Sequence, residues 1–204
     1  MSDRTIKLYL ASSNLGKLEE FRVLARLASS HVPLQLELLP RFDSLPRFRE
    51  DAPTFAENAT GKALHFSRLC DGLVFADDSG LVVPALGGAP GVQSARYAGP
   101  TATSEQRNTR LLAAMRDKTG PARRAYFVCA IALAQSGHPE AIVTDRADGE
   151  ILLEPRGQAG FGYDPVFFFP PLDKSFAEIS REQKNRYSHR GRAFRKLLAF
   201  VEQM

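Results

Sequence analysis

The chain has 204 residues, of which 44% are hydrophobic and 25% charged, a composition typical of a globular protein rather than a disordered or fibrous one. Its formal net charge of +4 comes from basic residues spread along the chain, which argues against a nucleic-acid-binding protein. No apolar run approaches the ~18 residues of a membrane span, and the N-terminal segment lacks a signal-peptide pattern. We therefore expect one cytoplasmic α/β domain over residues 1–204, with no nucleic-acid or membrane partner.

The first part of the chain predicts two strands with a helix between them. Residues 5–12 form an apolar run typical of a buried strand. The residues after it place Leu18, Phe21 and Leu24 on one face of a predicted helix. Residues 34–39 alternate apolar and polar side chains and predict a second strand, and the proline- and charge-rich stretch that follows predicts a loop.

The middle of the chain predicts a helix followed by a short strand. Thr54 and Glu57 have the spacing of a capping box, so we expect a helix from there to about residue 70. Residues 73–78 form a strand pattern that is expected to stop at the turn-forming sequence Asp78-Ser79-Gly80. A further strand pattern over residues 81–86 is weakened by Pro84.

The second half of the chain continues the alternation. Thr103 and Gln106 repeat the capping-box spacing and open a predicted helix. Residues 124–134 are typical of a central strand, with residues 140–152 as its antiparallel neighbour. Residues 165–170 predict a buried strand, and Ser188 is placed to cap a last helix. Strands that alternate with helices and include one hairpin predict a mixed α/β sheet.

The turn after the first strand is a candidate anion site. A helix N-terminus presents unpaired backbone N–H groups and the positive end of the helix dipole. Here Ser12, Ser13 and Asn14 add side-chain donors, and Lys17 adds a full charge. The spacing is not that of a Walker loop. An ordinary helix cap followed by a surface lysine explains the same residues.

Two adjacent aspartates follow an apolar strand. Asp77 and Asp78 point to opposite faces of any regular strand, so only one of them can face a given ligand. Asp78, at the expected strand end, is the better candidate, because open α/β sites lie beyond the carboxyl ends of the strands. The structural alternative is a turn that only ends the strand.

The segment before and within the second helix offers groups for a metal and for phosphate. Asn58 and Lys62 lie four residues apart and so project from one helix face. Glu50, in the preceding loop, is a candidate carboxylate for magnesium, which takes one or two protein carboxylates and fills its shell with water and phosphate. Glu57 is better explained as the capping partner of Thr54.

Aromatic and basic side chains mark two segments near the C-terminus. Phe161, in a glycine-rich loop, can stack on a base, a contact worth roughly 1–3 kcal/mol. Lys184, His189 and Arg190 cluster beside a predicted helix N-terminus, and an imidazole with a guanidinium can read the oxo edge of a purine. For an isolated segment of this kind, a solvated basic surface is the more common explanation.

Five motifs occur in a fixed order along the chain: SSNLGK, TFAENATGKA, ADDSGLVVPALGGAPGVQSARYAG, FGYDPVFF and EQKNRYSHRGRA. Each is weak alone. The set, in this order and spacing, resembles the noncanonical purine nucleoside triphosphate pyrophosphatase family, also called the inosine triphosphatase or Ham1-like family. The resemblance covers about residues 7–200.

The resemblance implies an elongated mixed β-sheet flanked by helices, in two lobes with the active-site cleft between them. It implies a homodimer that uses Mg²⁺ to hydrolyse inosine, deoxyinosine and xanthosine triphosphates to the monophosphate and pyrophosphate, keeping them out of DNA and RNA. It assigns Asp78 as the catalytic carboxylate and a metal ligand, with Glu50 as the second ligand. The implied substrate contacts are Ser12, Ser13, Asn14, Leu15, Gly16, Lys17, Lys62, Ser79, Phe161, Gly162, Tyr163, Asp164, Lys184, His189 and Arg190.

One departure from the family pattern and two other functions stay open. The family often has Glu-Thr-Gly where this chain has Glu50-Asp51-Ala52, so Asp51 is a rival metal carboxylate. The related Maf-like nucleotide pyrophosphatases are an alternative, against which the segment SHRGRA argues. A non-enzymatic RNA-binding protein, using the basic C-terminal stretch and exposed aromatic rings, is another.

Overall fold

The computed structural model describes residues 5–28 and 33–204 of the chain. Residues 1–4, which belong to the segment analysed for a signal peptide, lie outside that range. The elements are, in chain order, β1 (Ile6–Leu10), α1 (Leu15–Leu27), β2 (Leu34–Leu38), α2 (Phe55–Ser67), β3 (Leu73–Val82), α3 (Ser104–Ala114), β4 (Arg124–Gln135), β5 (His138–Ile151), β6 (Phe167–Phe169), β7 (Lys174–Ser175), α4 (Arg181–Tyr187) and α5 (His189–Val201).

The strands form one seven-stranded mixed sheet in the order β2-β1-β3-β4-β5-β6-β7. Strand β1 lies parallel to β2 and β3, whereas β6 is antiparallel to β5 and β7. Neighbouring strands β4 and β5 are joined by Ser136 and Gly137, whose φ angles of 51° and 81° fit the type I′ turn of a two-residue hairpin. The predicted mixed α/β sheet, with its hairpin at this place, is confirmed.

The chain forms two compact units. Among the described residues, unit 1 comprises 5–28, 33–78, 129–145 and 190–204, and unit 2 comprises 79–128 and 146–189. Within residues 5–28 and 33–204, no helix combines the length and the apolar character needed to cross a bilayer.

Strand alternation divides the core of unit 1 into two apolar clusters. Phe75 of β3 packs with Phe21 of α1 and Phe194 of α5. The next residue, Ala76, belongs to a separate cluster that includes Phe66 of α2. Because successive strand residues point to opposite faces, α1 and α5 cover one face of the sheet in unit 1, and α2 covers the other.

Unit 2 has an aromatic core and a buried arginine. The rings of Phe127, Phe167 and Phe176 form one cluster, with centroid distances of 4.7 Å and 4.9 Å for the pairs that involve Phe167. Arg123 is only 8% exposed. Its guanidinium donates to the carbonyl oxygens of Met115, Lys118, Ile151 and Leu152. This side chain therefore ties the segment after α3 to the end of β5.

The predicted end of β3 was wrong. The strand continues through Asp78, Ser79 and Gly80 and ends at Val82, just before Pro84 opens a 3₁₀ turn. The Asp-Ser-Gly sequence favours a turn only locally, whereas β3 lies between β1 and β4 and gains ladder hydrogen bonds by staying extended. Asp78 is thus an internal strand residue rather than a strand end.

The helix caps follow the sequence with two exceptions. Thr103 and Gln106 form the full reciprocal capping box of α3. At α2, Thr54 accepts from the Glu57 backbone, but the Glu57 carboxylate bonds the Thr54 hydroxyl instead of the backbone N–H. Helix α4 was not predicted, although its cap Ser180 with Gln183 has the same spacing.

Candidate functional site

Strand β3 sends two adjacent carboxylates to opposite sides of unit 1. Asp77 lies on the face that carries α1 and α5, where it contacts Lys17 and Arg190, and Asp78 lies on the face that carries α2, where it contacts Asn58. The alternation expected from the sequence therefore holds in spite of the wrong strand end. It holds because a regular strand needs no end to separate neighbouring side chains.

Asp77 belongs to a buried network of four charges. Lys17 Nζ lies 2.9 Å from Asp77 Oδ1, and Arg190 Nε lies 3.4 Å from Asp77 Oδ2. Arg190 also bonds Glu20 at 2.9 Å. The side chains of Asp77, Arg190 and Glu20 are 1%, 4% and 8% exposed, and that of Lys17 is 26% exposed. Two basic and two acidic groups leave this cluster with no net charge.

The network decides how its members ionise. Burial alone raises the pKa of Asp77, but the positive charges of Lys17, Arg190 and Lys62 outweigh it and hold this pKa well below the usual range. Burial opposes the charge of Arg190, whereas Glu20 and Asp77 raise its pKa. Asp77 and Arg190 therefore remain charged at neutral pH.

The turn between β1 and α1 has the form expected of an anion site. The Asn14 side chain accepts from the Lys17 backbone N–H at 3.0 Å and caps α1, and the Ser12 hydroxyl accepts from the Asn14 N–H at 3.0 Å. Residues Ser13, Asn14, Leu15 and Gly16 are exposed. Their position at the N-terminus of a 13-residue helix leaves a positive dipole end toward solvent.

Asp78 meets a different set of groups. Asn58 Nδ2 donates to Asp78 Oδ2 at 3.0 Å, while Asn58 Oδ1 accepts from the Ala52 N–H at 2.9 Å. Burial, followed by the negative charges of Glu50 and Asp77, raises the pKa of Asp78 to about 6, against the lowering effect of the Asn58 hydrogen bond. A carboxyl group with such a pKa can take up a proton near neutral pH.

The adjacent carboxylates Glu50 and Asp51 differ in their ion-pair partners and in the burial of those partners. Glu50 Oε1 lies 2.5 Å from Lys62 Nζ, in an ion pair whose lysine is 13% exposed. The Asp51 side chain is 63% exposed and pairs with Arg49 at 3.1 Å. The negative charge of Glu50 is one of the main causes that raise the pKa of Asp78.

The loop over residues 161–164 displays an aromatic ring. Phe161 is 57% exposed, and Lys184 Nζ lies 4.1 Å from its ring centroid. Asp164, which is 2% exposed, accepts from the Phe161 N–H at 2.7 Å and forms an ion pair with Lys184. The carboxylate therefore holds both the backbone of Phe161 and the ammonium that lies over the ring.

The remaining candidates lie in different surroundings. The His189 imidazole stacks on Phe127, with ring centroids 4.8 Å apart and an interplanar angle of 9°, and the residue is 6% exposed. Tyr163 is buried and its hydroxyl donates to the Ser94 carbonyl at 2.9 Å. Ser79 is partly exposed on β3.

The structure thus places the candidates in two sets. Unit 1 holds Ser12, Ser13, Asn14, Leu15, Gly16, Lys17, Glu50, Lys62, Asp78 and Arg190, and unit 2 holds Ser79, Phe161, Gly162, Tyr163, Asp164, Lys184 and His189. Each set combines one run of consecutive residues, 12–17 in unit 1 and 161–164 in unit 2, with residues that are distant in the sequence.

Sequence reasoning missed three partners of these residues. Asn58 was seen on the Lys62 face, but its hydrogen bond to Asp78 was not foreseen. Glu20 and Asp77 gave no signal of pairing with Arg190, which lies 170 and 113 residues away in the chain. The position of Glu20, a charged side chain one turn from Leu24 on the apolar side of α1, indicates a buried ion pair but does not identify the partner.

The fold and the candidate residues define an α/β protein with an exposed helix N-terminus after its first strand and two adjacent carboxylates on a central strand. The family model described as the Ham1 family matches residues 8–200. This chain belongs to the Ham1 family.

Curated relatives and solved structures agree with that assignment. A dITP/XTP pyrophosphatase from Nitrosomonas europaea is 46% identical over 203 residues, covering 97% of this chain and 95% of the relative. One from Thermus thermophilus is 46% identical over 197 residues, covering 96% and 91%. The structure of a HAM1 protein from Coxiella burnetii matches with a TM-score of 0.86 at 38% identity, covering 98% of this chain and 100% of that one.

Proposed function

We propose that this chain hydrolyses noncanonical purine nucleoside triphosphates, those of inosine, deoxyinosine and xanthosine, to the monophosphate and pyrophosphate. The observation that carries the proposal is the partly buried Asp78 carboxylate beside Glu50 and Asn58, on the strand next to the one that leads into the Ser12–Lys17 turn. Membership of the Ham1 family and relatives named dITP/XTP pyrophosphatase support the substrate class. By removing such triphosphates, the enzyme keeps them out of DNA and RNA.

The groups of unit 1 suit a triphosphate. The exposed N-terminus of α1 offers backbone N–H donors, and Ser12, Ser13 and Asn14 add side-chain groups around them. Lys17 and Lys62 offset the charge that develops on the departing pyrophosphate. These two lysines lie near enough to Asp77 to lower its pKa together.

Asp78 has the protonation behaviour that attack on the α-phosphorus needs. A water oxygen forms the new bond to phosphorus as the bond to the bridging oxygen breaks, and pyrophosphate leaves. With a pKa of about 6, Asp78 is ionised at neutral pH and is basic enough to accept the proton of that water. Asn58, by donating to Asp78 Oδ2, orients the carboxylate.

The same carboxylate fits a magnesium ion together with Glu50. Both donors are oxygens, and the negative charge of Glu50 raises the pKa of Asp78, an effect that a divalent cation would offset. Within the described ranges, no cluster of three or more histidine, cysteine, aspartate or glutamate side chains forms a complete protein cage. Magnesium rarely uses one, since it keeps water and phosphate ligands. When bound, it would neutralise phosphate charge and lower the pKa of a coordinated water.

The groups of unit 2 suit a purine. Phe161 offers an exposed ring for stacking, with Gly162, Tyr163, Asp164 and Ser79 in its unit. We assign base reading to Lys184 and His189 of this unit and to Arg190 of unit 1, all of which can donate to an oxo group. Adenine, with an amino group at that position, would leave its donor unpaired and bind less well. The ion pairs of Arg190 with Glu20 and Asp77 fit a structural role instead, and the substrate preference and stability of Arg190→Ala separate the two roles.

We further propose a homodimer in the cytoplasm. The full-length match to a family of nucleotide-metabolising enzymes supports the location, and the resemblance of the five motifs supports the assembly.

The test is release of pyrophosphate from inosine, deoxyinosine, xanthosine, adenosine and guanosine triphosphates, with magnesium and with a chelator. We expect magnesium-dependent pyrophosphate from the first three and little from the last two. Asp78→Asn serves as the inactive variant, and Asp117→Asn, at an exposed position, serves as the matched control. Orthophosphate with a diphosphate product would contradict the proposal, because it would move the attack to the γ-phosphorus.

A further inference from the structure

The aromatic loop is fastened to α3 by one side chain. Asn108, which is 6% exposed, donates from Nδ2 to the carbonyl oxygen of Gly162 at 3.1 Å. The two residues lie 54 positions apart in the chain and both belong to unit 2. The bond therefore joins the loop to a helix that sequence analysis did not connect with any function.

The accepting carbonyl sits at the centre of a tight turn. Asp164 N donates to Phe161 O at 3.2 Å, which closes a β-turn over residues 161–164. Gly162 has φ +64°, and Tyr163 has φ −93° and ψ 6°, the dihedral pattern of a type II′ turn. Rotating the central peptide would bring Tyr163 toward positive φ, which a bulky side chain resists. The Asn108 hydrogen bond holds this same central peptide. It therefore helps to set the direction in which the Phe161 side chain projects from the turn.

The other anchors of the loop hold different groups. The Asp164 carboxylate binds the Phe161 N–H, and the Tyr163 hydroxyl binds the Ser94 carbonyl. Neither contacts the Gly162 carbonyl. With Lys184 over one face of the Phe161 ring, the orientation of the turn decides where the exposed part of that ring points.

The second polar atom of Asn108, its buried Oδ1, makes no hydrogen bond to the protein among residues 5–28 and 33–204. A buried unsatisfied acceptor is destabilising, and an apolar residue of the same size would remove that cost. The hydrogen bond that the Asn108 side chain does make goes to the aromatic loop.

We propose that Asn108 is a positioning residue for base binding, which holds the turn of residues 161–164 so that the Phe161 ring is oriented before a nucleotide arrives. The ordering of the loop by Asn108 stands on geometry alone, and only its effect on nucleotides rests on the proposed function. Preorganisation of this kind lowers the entropic cost of binding, so it acts on affinity more than on chemistry.

The chain contains no tryptophan, which allows a selective probe of the loop. Phe161→Trp places a single indole in the turn and serves as the parent protein. Asn108→Leu, of similar size, removes the donor, and Asn108→Ala is a second variant in case leucine does not fit. Thr109→Ala, at an exposed neighbouring position on α3, is the matched control. Indole anisotropy and acrylamide quenching are measured without nucleotide, and steady-state kinetics are measured in the original Phe161 background.

We expect the Asn108 variants to lower the anisotropy and increase the quenching of the indole, while the melting temperature changes little. KM should rise about threefold to tenfold for inosine, xanthosine and adenosine triphosphates alike, the scale of one lost hydrogen bond, with kcat within about twofold. Thr109→Ala should match the parent in every measurement.

Unchanged anisotropy and quenching in Asn108→Leu and Asn108→Ala would overturn the proposal, because the loop would then be held without this bond. A drop in melting temperature and kcat with unchanged KM would also overturn it and make Asn108 a structural residue. If the unaltered chain hydrolyses no triphosphate, the proposed function fails, and the indole measurements still support or overturn the ordering of the loop by Asn108.

Discussion

Replacing Asp78 with asparagine is expected to abolish turnover and yet stabilise the protein. Its pKa of about 6 lies roughly two pH units above the ordinary value of 3.8, chiefly because of burial and the nearby charges of Glu50 and Asp77. At about 1.4 kcal/mol per pH unit, the ionised carboxylate costs up to about 3 kcal/mol at neutral pH. Asparagine has the same shape and can still accept from Asn58, so Asp78→Asn recovers most of that cost. Turnover should fall by at least about two orders of magnitude.

The neighbouring change should have the opposite effect on stability. Asp77 is ionised and paired with Lys17 and Arg190. Burial raises the pKa of Asp77, but the positive charges of its partners outweigh burial and keep this pKa low. Asp77→Asn leaves those cations short of a partner in a buried setting, where breaking an ion pair typically costs about 3–5 kcal/mol. One strand should therefore carry an activating carboxylate that destabilises and a structural carboxylate that stabilises.

The effect of Asp78 depends on pH in a definite direction. Its pKa is higher in the folded protein than in the unfolded chain, so the folded protein binds more protons between about pH 4 and pH 6. The cost of the ionised carboxylate is absent below about pH 4 and fully present above about pH 6. The advantage of Asp78→Asn over the unaltered protein should accordingly be largest above pH 6 and disappear toward pH 4.

Urea unfolding in a chelator, at one protein concentration and at several pH values, measures both effects, and pyrophosphate release measures turnover. Asp117→Asn, an exposed change of the same chemistry, should stay within about 0.5 kcal/mol of the unaltered protein. The reasoning is refuted if Asp78→Asn is less stable than the unaltered protein at pH 7.5. It is also refuted if Asp77→Asn and the unaltered protein unfold at the same urea concentration.

Three further changes probe the base, the buried network and the core of unit 2. Phe161→Ala should raise KM for every triphosphate by a similar factor and leave the preference for inosine over adenosine intact; a changed preference would contradict stacking. Arg190→Ala should cut kcat/KM for inosine triphosphate about tenfold to a hundredfold and shrink that preference, whereas equal losses on both substrates together with lower stability would assign Arg190 to the fold. Arg123→Ala should lower the free energy of unfolding by at least about 3 kcal/mol, since four backbone carbonyls lose their donor; a smaller loss would mean that water replaces the guanidinium.

The sequence predicted those parts of the fold that depend on local periodicity and local caps. The apolar face of α1, the Thr103 cap of α3 and the hairpin between β4 and β5 all follow from spacing within one element. The end of β3 could not be predicted, because pairing with neighbouring strands overrides the turn tendency of Asp78-Ser79-Gly80.

The candidate site was predictable to a similar extent. The opposite orientations of Asp77 and Asp78 followed from alternation along one strand. The partners of those residues did not follow, since Arg190 reaches Asp77 across 113 positions and Asn108 reaches Gly162 across 54. The fold of the chain brings such pairs together, and a single sequence does not indicate which distant residues will meet.

The two lysines assigned to the triphosphate are each already matched with a carboxylate, Lys17 with Asp77 and Lys62 with Glu50. In the proposed function, an anion that binds to either lysine must therefore displace the carboxylate that is already paired with it. A monovalent anion such as chloride would gain little net interaction energy from this exchange. A triphosphate carries several negative charges on several oxygens, so it could pair with both lysines at once. We therefore expect the proposed site to bind polyanions and to remain unoccupied by smaller anions such as chloride.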